Sequence, residues 1–391
     1  MDMLAGAVLA AWMGQAVAAT LLCAWYLRLL RRPQPWPDST PPVLVLVPVR
    51  GPLPGIEAFL QDLARQDYPA WRVVLAVESR DDPVFPALIR FMAAHPARVT
   101  VIVAGAAERR GQKVQNLLAA LAEERPQDAA VVTLDADMRP PPDLLSRLLR
   151  PVLTGQGDIA TGYRWTLPAD GAFASTLVAL ADMAIATLPR CARCNLCWGG
   201  ATALSRAALE RLDLPRLWDR AVSDDLALTR AARAAGLRIY APLDVRPPNP
   251  VAYSLAGALA FGVRQYRLLR RLAPWAWALA ALVLLLAAAG GVVAVSGAVA
   301  GEPLAIATLL VALALGMGRA GLRGAIARRV LQPPEAALAA RTLRQGIWLQ
   351  PLGIGLHLAA LLGGGVGRRL LWAGRRHLLD ARGEVLAIER C

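Results

Sequence analysis

Val131-Val132-Thr133-Leu134-Asp135-Ala136-Asp137-Met138 places a short apolar, β-branched run directly before two aspartates at i and i+2. A run of this length with polar borders predicts a buried strand. Upstream, comparable runs stand at Val43–Val47, Val73–Val77 and Val99–Val103, with Val131–Leu134 as the fourth. Between them, amphipathic spacing predicts helices at Gly55–Gln66, Pro83–His95 and Val114–Glu124. This alternation is the pattern of an α/β domain on a mostly parallel, Rossmann-like sheet. Such sheets bind ligands outside the carboxyl ends of their strands, so the residues that follow each run are the candidates for chemistry.

After the second run comes Glu78-Ser79-Arg80-Asp81-Asp82-Pro83. A carboxylate here suits a nucleotide base or ribose, or it caps a helix starting at Pro83. After the third comes Gly111-Gln112-Lys113-Val114-Gln115-Asn116-Leu117, and Lys113 is the only lysine in a chain of 43 basic residues. A cation at a loop-to-helix junction adds to the anion preference of the helix N-terminus; a solvated surface lysine is the alternative. After the fourth, Asp135 and Asp137 can approach one divalent ion together, whereas a simple polar turn needs no second aspartate. Further on, Val222-Ser223-Asp224-Asp225-Leu226 opens a helix. Ser223 is its expected N-cap, and Asp225 is the candidate general base, because His95 is the only histidine in this region and sits on a helix flank.

The surrounding chain points to a membrane. Of 391 residues 56% are hydrophobic, and the net charge of +14 comes from arginines that cluster beside apolar runs. That placement reflects topology rather than nucleic-acid binding, and no nucleic-acid partner is expected. Met3 to Leu27 is uncharged and long enough to cross a bilayer; Asp2 and the absence of a basic residue before it argue against a cleaved signal. Arg28, Arg31 and Arg32 follow, so the positive-inside rule places the next segment in the cytoplasm. A second apolar block from Leu272 to Gly301, then Pro303 to Gly318, predicts a hairpin whose second arm is short and ends at Arg319, Arg323, Arg328 and Arg329. A last uncharged run, Gln345 to Gly367, contains Pro351 and His357 and is expected to span or to be re-entrant.

The expected organisation is therefore an N-terminal anchor (1–32), a Pro-rich linker (33–42) and a cytoplasmic catalytic domain (43–249). An interfacial amphipathic segment (250–271) and C-terminal membrane helices with a basic tail (272–391) follow. Cys191, Cys194 and Cys197 form a CxxCxxC cluster with no fourth ligand in view, read as a structural or incidental thiol group over a metal or redox site. Arg264-Gln265-Tyr266-Arg267-Leu268 can act as an interfacial anchor, as a phosphate-binding pair, or as both.

Taken in order, strand–DDP, GxKxxNL, strand–DAD, SDD and RxxR before membrane helices resembles the family 2-like inverting glycosyltransferases of GT-A fold. The ceramide glucosyltransferase branch and its bacterial relatives are the nearest likeness. The resemblance implies that Asp82 and Lys113 lie in the nucleotide site, with Asp135. It implies that Asp137 and Asp135 hold Mg²⁺ or Mn²⁺, that Asp225 is the base, and that Gly200 and Asp224 face the acceptor. Arg264 and Arg267 match the arginine motif, but Leu268 stands where the family has tryptophan, and Gly374-Arg375-Arg376-His377 resembles a closing basic element with His for Tyr. The expected reaction moves a hexose, foremost glucose from UDP-glucose, onto a hydroxyl of a membrane lipid such as ceramide. Thr176–Trp198 and the region before Arg264 would admit that lipid from the bilayer. The alternatives are a hopanoid-type or other lipid with UDP-GlcNAc or another UDP-sugar, a processive polysaccharide synthase, and an inactive nucleotide-binding scaffold. The expected location is a bacterial inner membrane, multi-pass, with the catalytic domain facing the cytoplasm; the sequence carries no reading of oligomeric state.

Overall fold

The computed structural model describes residues 2–189, 191–192 and 194–390, except the side chain of Arg390. Along the chain, α1 (Met3–Leu30) precedes β1 (Val43–Val49), α2 (Ile56–Ala64), β2 (Trp71–Val77), α3 (Phe85–Ala94), β3 (Val99–Val103), α4 (Gln112–Leu121) and β4 (Ala130–Leu134). Then come α5 (Leu144–Leu153), β5 (Ile159–Thr161), β6 (Trp165–Pro168), α6 (Phe173–Ala186), β7 (Ala201–Ser205), α7 (Arg206–Arg211), α8 (Leu214–Leu217), α9 (Asp224–Ala234), β8 (Ile239–Tyr240) and β9 (Pro248–Val251). Four long helices follow, α10 (Leu255–Leu272), α11 (Pro274–Val299), α12 (Pro303–Val330) and α13 (Pro333–Gly364), and then β10 (Arg369–Trp372), β11 (Arg375–Leu379) and β12 (Val385–Arg390).

These elements form two compact units of interleaved sequence. One gathers Met1–Arg32, Trp165–Pro189 and Pro250–Gly367; the other gathers Pro33–Arg164, Arg190–Asn249 and Arg368–Cys391. This departs from the expected linear succession in two places. The segment Trp165–Pro189, expected inside the catalytic domain, belongs to the helical unit, because α6 is a mostly apolar helix that packs on α13. The segment from Arg368 onward, expected as a tail of the membrane helices, belongs to the sheet-bearing unit, where it forms the sheet β10-β11-β12.

The sheet-bearing unit is built on a seven-stranded sheet of order β3-β2-β1-β4-β7-β5-β8. β1 pairs in parallel with β2 and β4, and β7 runs antiparallel to both β4 and β5. The Val-Leu-Val-Leu-Val run of β1 explains the layering, since a central parallel strand must be apolar on both faces. Val43, Val45, Val47 and Val49 pack against α2, α3 and α5 through residues such as Phe59, Leu88 and Leu148. Leu44 and Leu46 face the other way, onto Val114 and Leu117 of α4 and Leu228 of α9. Each such fully buried aliphatic side chain contributes roughly 1.5–3 kcal/mol relative to exposure.

In the helical unit, α1, α11, α12 and α13 are each long and apolar enough to cross a membrane. The hairpin turn between α11 and α12 falls at Gly301, whose φ of +75° suits glycine. The second arm is not short: α12 continues past Gly318 through Arg319–Val330, because alanine, leucine and arginine are good helix formers and no proline interrupts them. Likewise the run that starts at Gln345 is no separate piece: 345–364 form the end of α13, which runs through Pro351. Small residues let these helices approach. A Cβ on Gly290 of α11 would lie 2.3 Å from the Trp12 ring of α1.

Candidate functional site

Register carries the candidate residues to one sheet end. Leu134 of β4 pairs with Ala201 of β7, so Asp135 leaves the strand beside Gly200 and its N–H donates to the Gly200 carbonyl at 3.0 Å. From the next helix layer, Lys113 in the first turn of α4 reaches Asp135 Oδ1 at 2.8 Å and Asp224 Oδ1 at 3.3 Å. Cation placement in a first helical turn opposes the helix dipole, and the two carboxylates offset that. The solvated-surface alternative for Lys113 is thereby excluded.

Electrostatics follow from that packing. Burial works against the Lys113 charge, but Asp135, Asp224 and Asp225 outweigh it and hold the ammonium above the usual lysine range. Burial pushes the Asp135 carboxyl up; the Lys113 ammonium opposes this, while Asp137 and Asp224 add to it. Asp224 is also pushed up by burial, against the pull of Lys113.

Asp224 and Asp225 differ in what they can do. Asp224 is buried and ion-paired, whereas Asp225 is only half-buried. Its Oδ1 accepts from the Leu226 N–H at 2.8 Å and lies against Ser223 Oγ, and its Oδ2 accepts from the Gly199 N–H at 3.1 Å. Ser223 caps α9 as expected, its Oγ accepting from the Leu226 N–H at 3.3 Å.

The turn Trp198-Gly199-Gly200 is held rigidly. Thr161 Oγ1 accepts from the Trp198 N–H at 2.8 Å, and Thr202 Oγ1 donates to the Trp198 carbonyl at 2.8 Å. A Cβ on Gly199 would sit 2.5 Å from Asp224 Oδ2 and 2.6 Å from Lys113 Nζ; one on Gly200 would meet the Trp198 ring at 2.2 Å. Gly199 escaped the sequence reading, although the Gly-Gly pair was its visible trace.

Asp82 does not cap a helix at Pro83. The helix starts at Phe85, and Asp82 Oδ1 accepts from the N–H groups of Gly51 (3.0 Å) and Val84 (3.1 Å). It ties the loops after β1 and β2 together, and one oxygen is committed to that task. Arg264 and Arg267 stand on α10 in the helical unit. There Arg267 donates to the Gly363 carbonyl at 2.8 Å, and Arg264 stacks over Phe261 at 5.4 Å. Leu268, in the slot of the family tryptophan, is buried.

Asp137 is exposed and, among the described residues, its carboxylate makes no hydrogen bond or ion pair within the protein, while Asn249 Nδ2 holds its carbonyl at 2.7 Å. Two hard carboxylates at this strand end, one of them free of partners, fit a divalent ion such as Mg²⁺ or Mn²⁺. Among the described residues no group of three or more His, Cys, Asp or Glu is arranged to hold a metal, the cysteine triplet included. Cys191 and Cys194 are exposed, whereas Cys197 is buried and its thiol is pushed up to about 12 by that burial.

The sequence pattern of Glycosyl transferase family 21 matches residues 8–379. The chain belongs to that family. It is a glycosyltransferase of GT-A fold, with four long apolar helices that suggest membrane association. Among solved structures, the mannosyltransferase PcManGT from Pyrobaculum calidifontis, in complex with GDP-Man and Mn²⁺, is similar over 92% of this chain and 98% of its own at 22% identity, with a TM-score of 0.51. A weaker likeness is glucosyl-3-phosphoglycerate synthase from Mycobacterium tuberculosis, solved with Mn²⁺ and UDP. There the match covers 59% of this chain and 80% of that one at 18% identity, with a TM-score of 0.38. No curated protein sequence matches the chain.

Proposed function

We propose that the chain moves a hexose, foremost glucose from UDP-glucose, with inversion onto a hydroxyl of a membrane lipid such as ceramide. The observation that carries this is the paired arrangement of Asp225, held by the Gly199 amide, beside the Lys113–Asp135–Asp224 cluster. Asp225 is the less buried of the two neighbouring carboxylates, which supports its role as the base.

In this reading Asp225 takes the proton of the acceptor hydroxyl as that oxygen attacks the anomeric carbon. Its amide and hydroxyl donors fix the carboxylate's orientation, which is what a base in a single displacement needs. Asp82 faces the nucleotide with its second oxygen. Lys113 offsets part of the negative charge of Asp135 and Asp224, which eases the approach of an anionic donor. Asp137 and Asp135 would hold Mg²⁺ or Mn²⁺, which when bound masks the charge of the departing diphosphate. Arg264 and Arg267 are proposed as phosphate partners on the strength of their guanidinium chemistry. The arginine clusters after α1 and in α12 support a catalytic unit on the cytoplasmic side of a bacterial inner membrane.

Mass spectrometry of lipids from cells with and without the protein tests the reading, with Asp225→Asn as control. A new lipid heavier by one hexose, absent in the control, is expected. Polymer in place of a single glycosylated lipid would overturn it.

A further inference from the structure

The C-terminal sheet carries a buried arginine into the catalytic unit. β10 and β11 join through Ala373 and Gly374, whose φ values of +50° and +70° are the condition for a two-residue type I′ hairpin. That tight turn fixes Arg375 at the first position of β11, where it is 4% exposed. Its Nη2 pairs with Glu78, one residue beyond β2; its Nη1 donates to Gln112 Oε1 at 2.6 Å and to the Ala107 carbonyl at 3.3 Å.

From Gln112 the network reaches both central strands. Its Oε1 also accepts from the Ala107 N–H at 2.8 Å, and its Nε2 donates to the Gly105 carbonyl (2.9 Å) and Asn116 Oδ1 (2.8 Å). Asn116 Nδ2 in turn donates to the carbonyls of Val49 and Ala76 at 3.1 and 3.0 Å. The same tail grips the approach to α9: the Val385 N–H donates to the Arg220 carbonyl at 2.9 Å, and Arg220 Nε and Nη2 return bonds of 3.1 and 3.0 Å to the Val385 carbonyl. Gly111, directly before Lys113's helix, then donates to the Ala221 carbonyl at 2.9 Å.

We propose that Arg375 is a positioning residue for the donor nucleotide: it sets the orientation of Glu78 and the start of α4, and so the placement of Lys113. This rests on the donor-site reading above. A buried guanidinium fork spanning a carboxylate and an amide oxygen fixes two loops at once, which a point charge cannot do. The nucleotide wall is therefore incomplete until the last two dozen residues of the chain have folded onto it.

The test uses the full-length protein in detergent, with UDP and GDP as binding probes and Arg375→Gln, Arg375→Lys and Glu78→Gln as variants. We expect Arg375→Gln to weaken nucleotide binding and raise donor KM about tenfold or more, while acceptor KM stays within about twofold. Arg375→Lys should recover part of the loss. Adding Glu78→Gln to Arg375→Gln should cost less than the two single losses combined, because both remove the Arg375–Glu78 contact and only the 3.5 Å pair of Glu78 with Arg50 is left to lose. If Arg375→Gln is recovered unfolded, Arg375→Lys carries the test, with about threefold weaker UDP binding expected at an unchanged melting temperature. Nucleotide affinity equal to that of the unaltered protein in either folded variant would overturn the proposal. So would losses in donor KM, acceptor KM and kcat that all track melting temperature. Failure of the unaltered protein to bind either nucleotide would instead bring down the donor reading, and this one with it.

Discussion

Lys113 Nζ lies 2.8 Å from Asp135 Oδ1, joining the first turn of α4 to the end of β4. The contact puts the chain's only lysine beside the first aspartate of its Asp-Ala-Asp turn. With Asp224 at 3.3 Å on the other side, the ammonium is the hub that keeps three elements in register.

Replacing that hub should therefore affect stability and turnover together. Removing one partner of a largely buried ion pair leaves an uncompensated charge, costing on the order of 3 kcal/mol. Lys113→Met is expected to lower the melting temperature by several degrees and abolish sugar transfer, read by thermal unfolding and product assay. Unchanged melting would show that the cluster is looser than its distances.

Gly199 offers a sharper probe of geometry. A Cβ there would stand 2.5 Å from Asp224 and 2.6 Å from Lys113, so one of them must move. Gly199→Ala should lower kcat at least about a hundredfold, the scale of a misplaced reacting group. The protein should remain folded by circular dichroism.

The two neighbouring carboxylates should separate by function. Asp225→Asn removes the proposed base and is expected to cut kcat by roughly 10²–10⁴ while UDP binding persists. Asp224→Asn breaks the Lys113 pair and should lower melting temperature as well. Equal kinetic and thermal effects in both variants would contradict the division of labour.

For the metal, Asp137→Ala is expected to abolish stimulation of donor binding by Mn²⁺ without changing recovery in the membrane fraction. Titration of Mn²⁺ against UDP affinity measures it directly. A full Mn²⁺ response in the variant would assign the ion elsewhere.

Orientation can be read from native residues, because Cys191 and Cys194 are exposed in the catalytic unit while Cys23 is buried. In a Cys391→Ser background, an impermeant maleimide applied outside intact cells should leave them unlabelled, and permeabilisation should expose them. Labelling before permeabilisation would reverse the topology.

The sequence by itself determined what depends on local patterning. Alternating apolar runs pointed to the α/β sheet, and long uncharged runs to the N-terminal helix and the later hairpin, with the last run left between spanning and re-entrant. The segments after the strands named Lys113, Asp135 and Asp137, and a capped helix start named Asp224 and Asp225. Helix ends were legible to within a few residues where a cap such as Ser223 marked them. Tertiary structure alone decided what depends on long-range closure. Helix α6 left the stretch expected to be catalytic for the helical unit because its apolar surface is buried against helices far along the sequence, α10 and α13. Arg375 returned to Glu78 and Gln112 across 297 and 263 residues of sequence. No periodicity records that a terminal hairpin will dock, because the partners of its buried arginine, Glu78 and Gln112, are distant in sequence. For the same reason the turn at Asp135-Ala-Asp137 could be found by eye, but its division into a lysine-paired carboxylate and a free one could not.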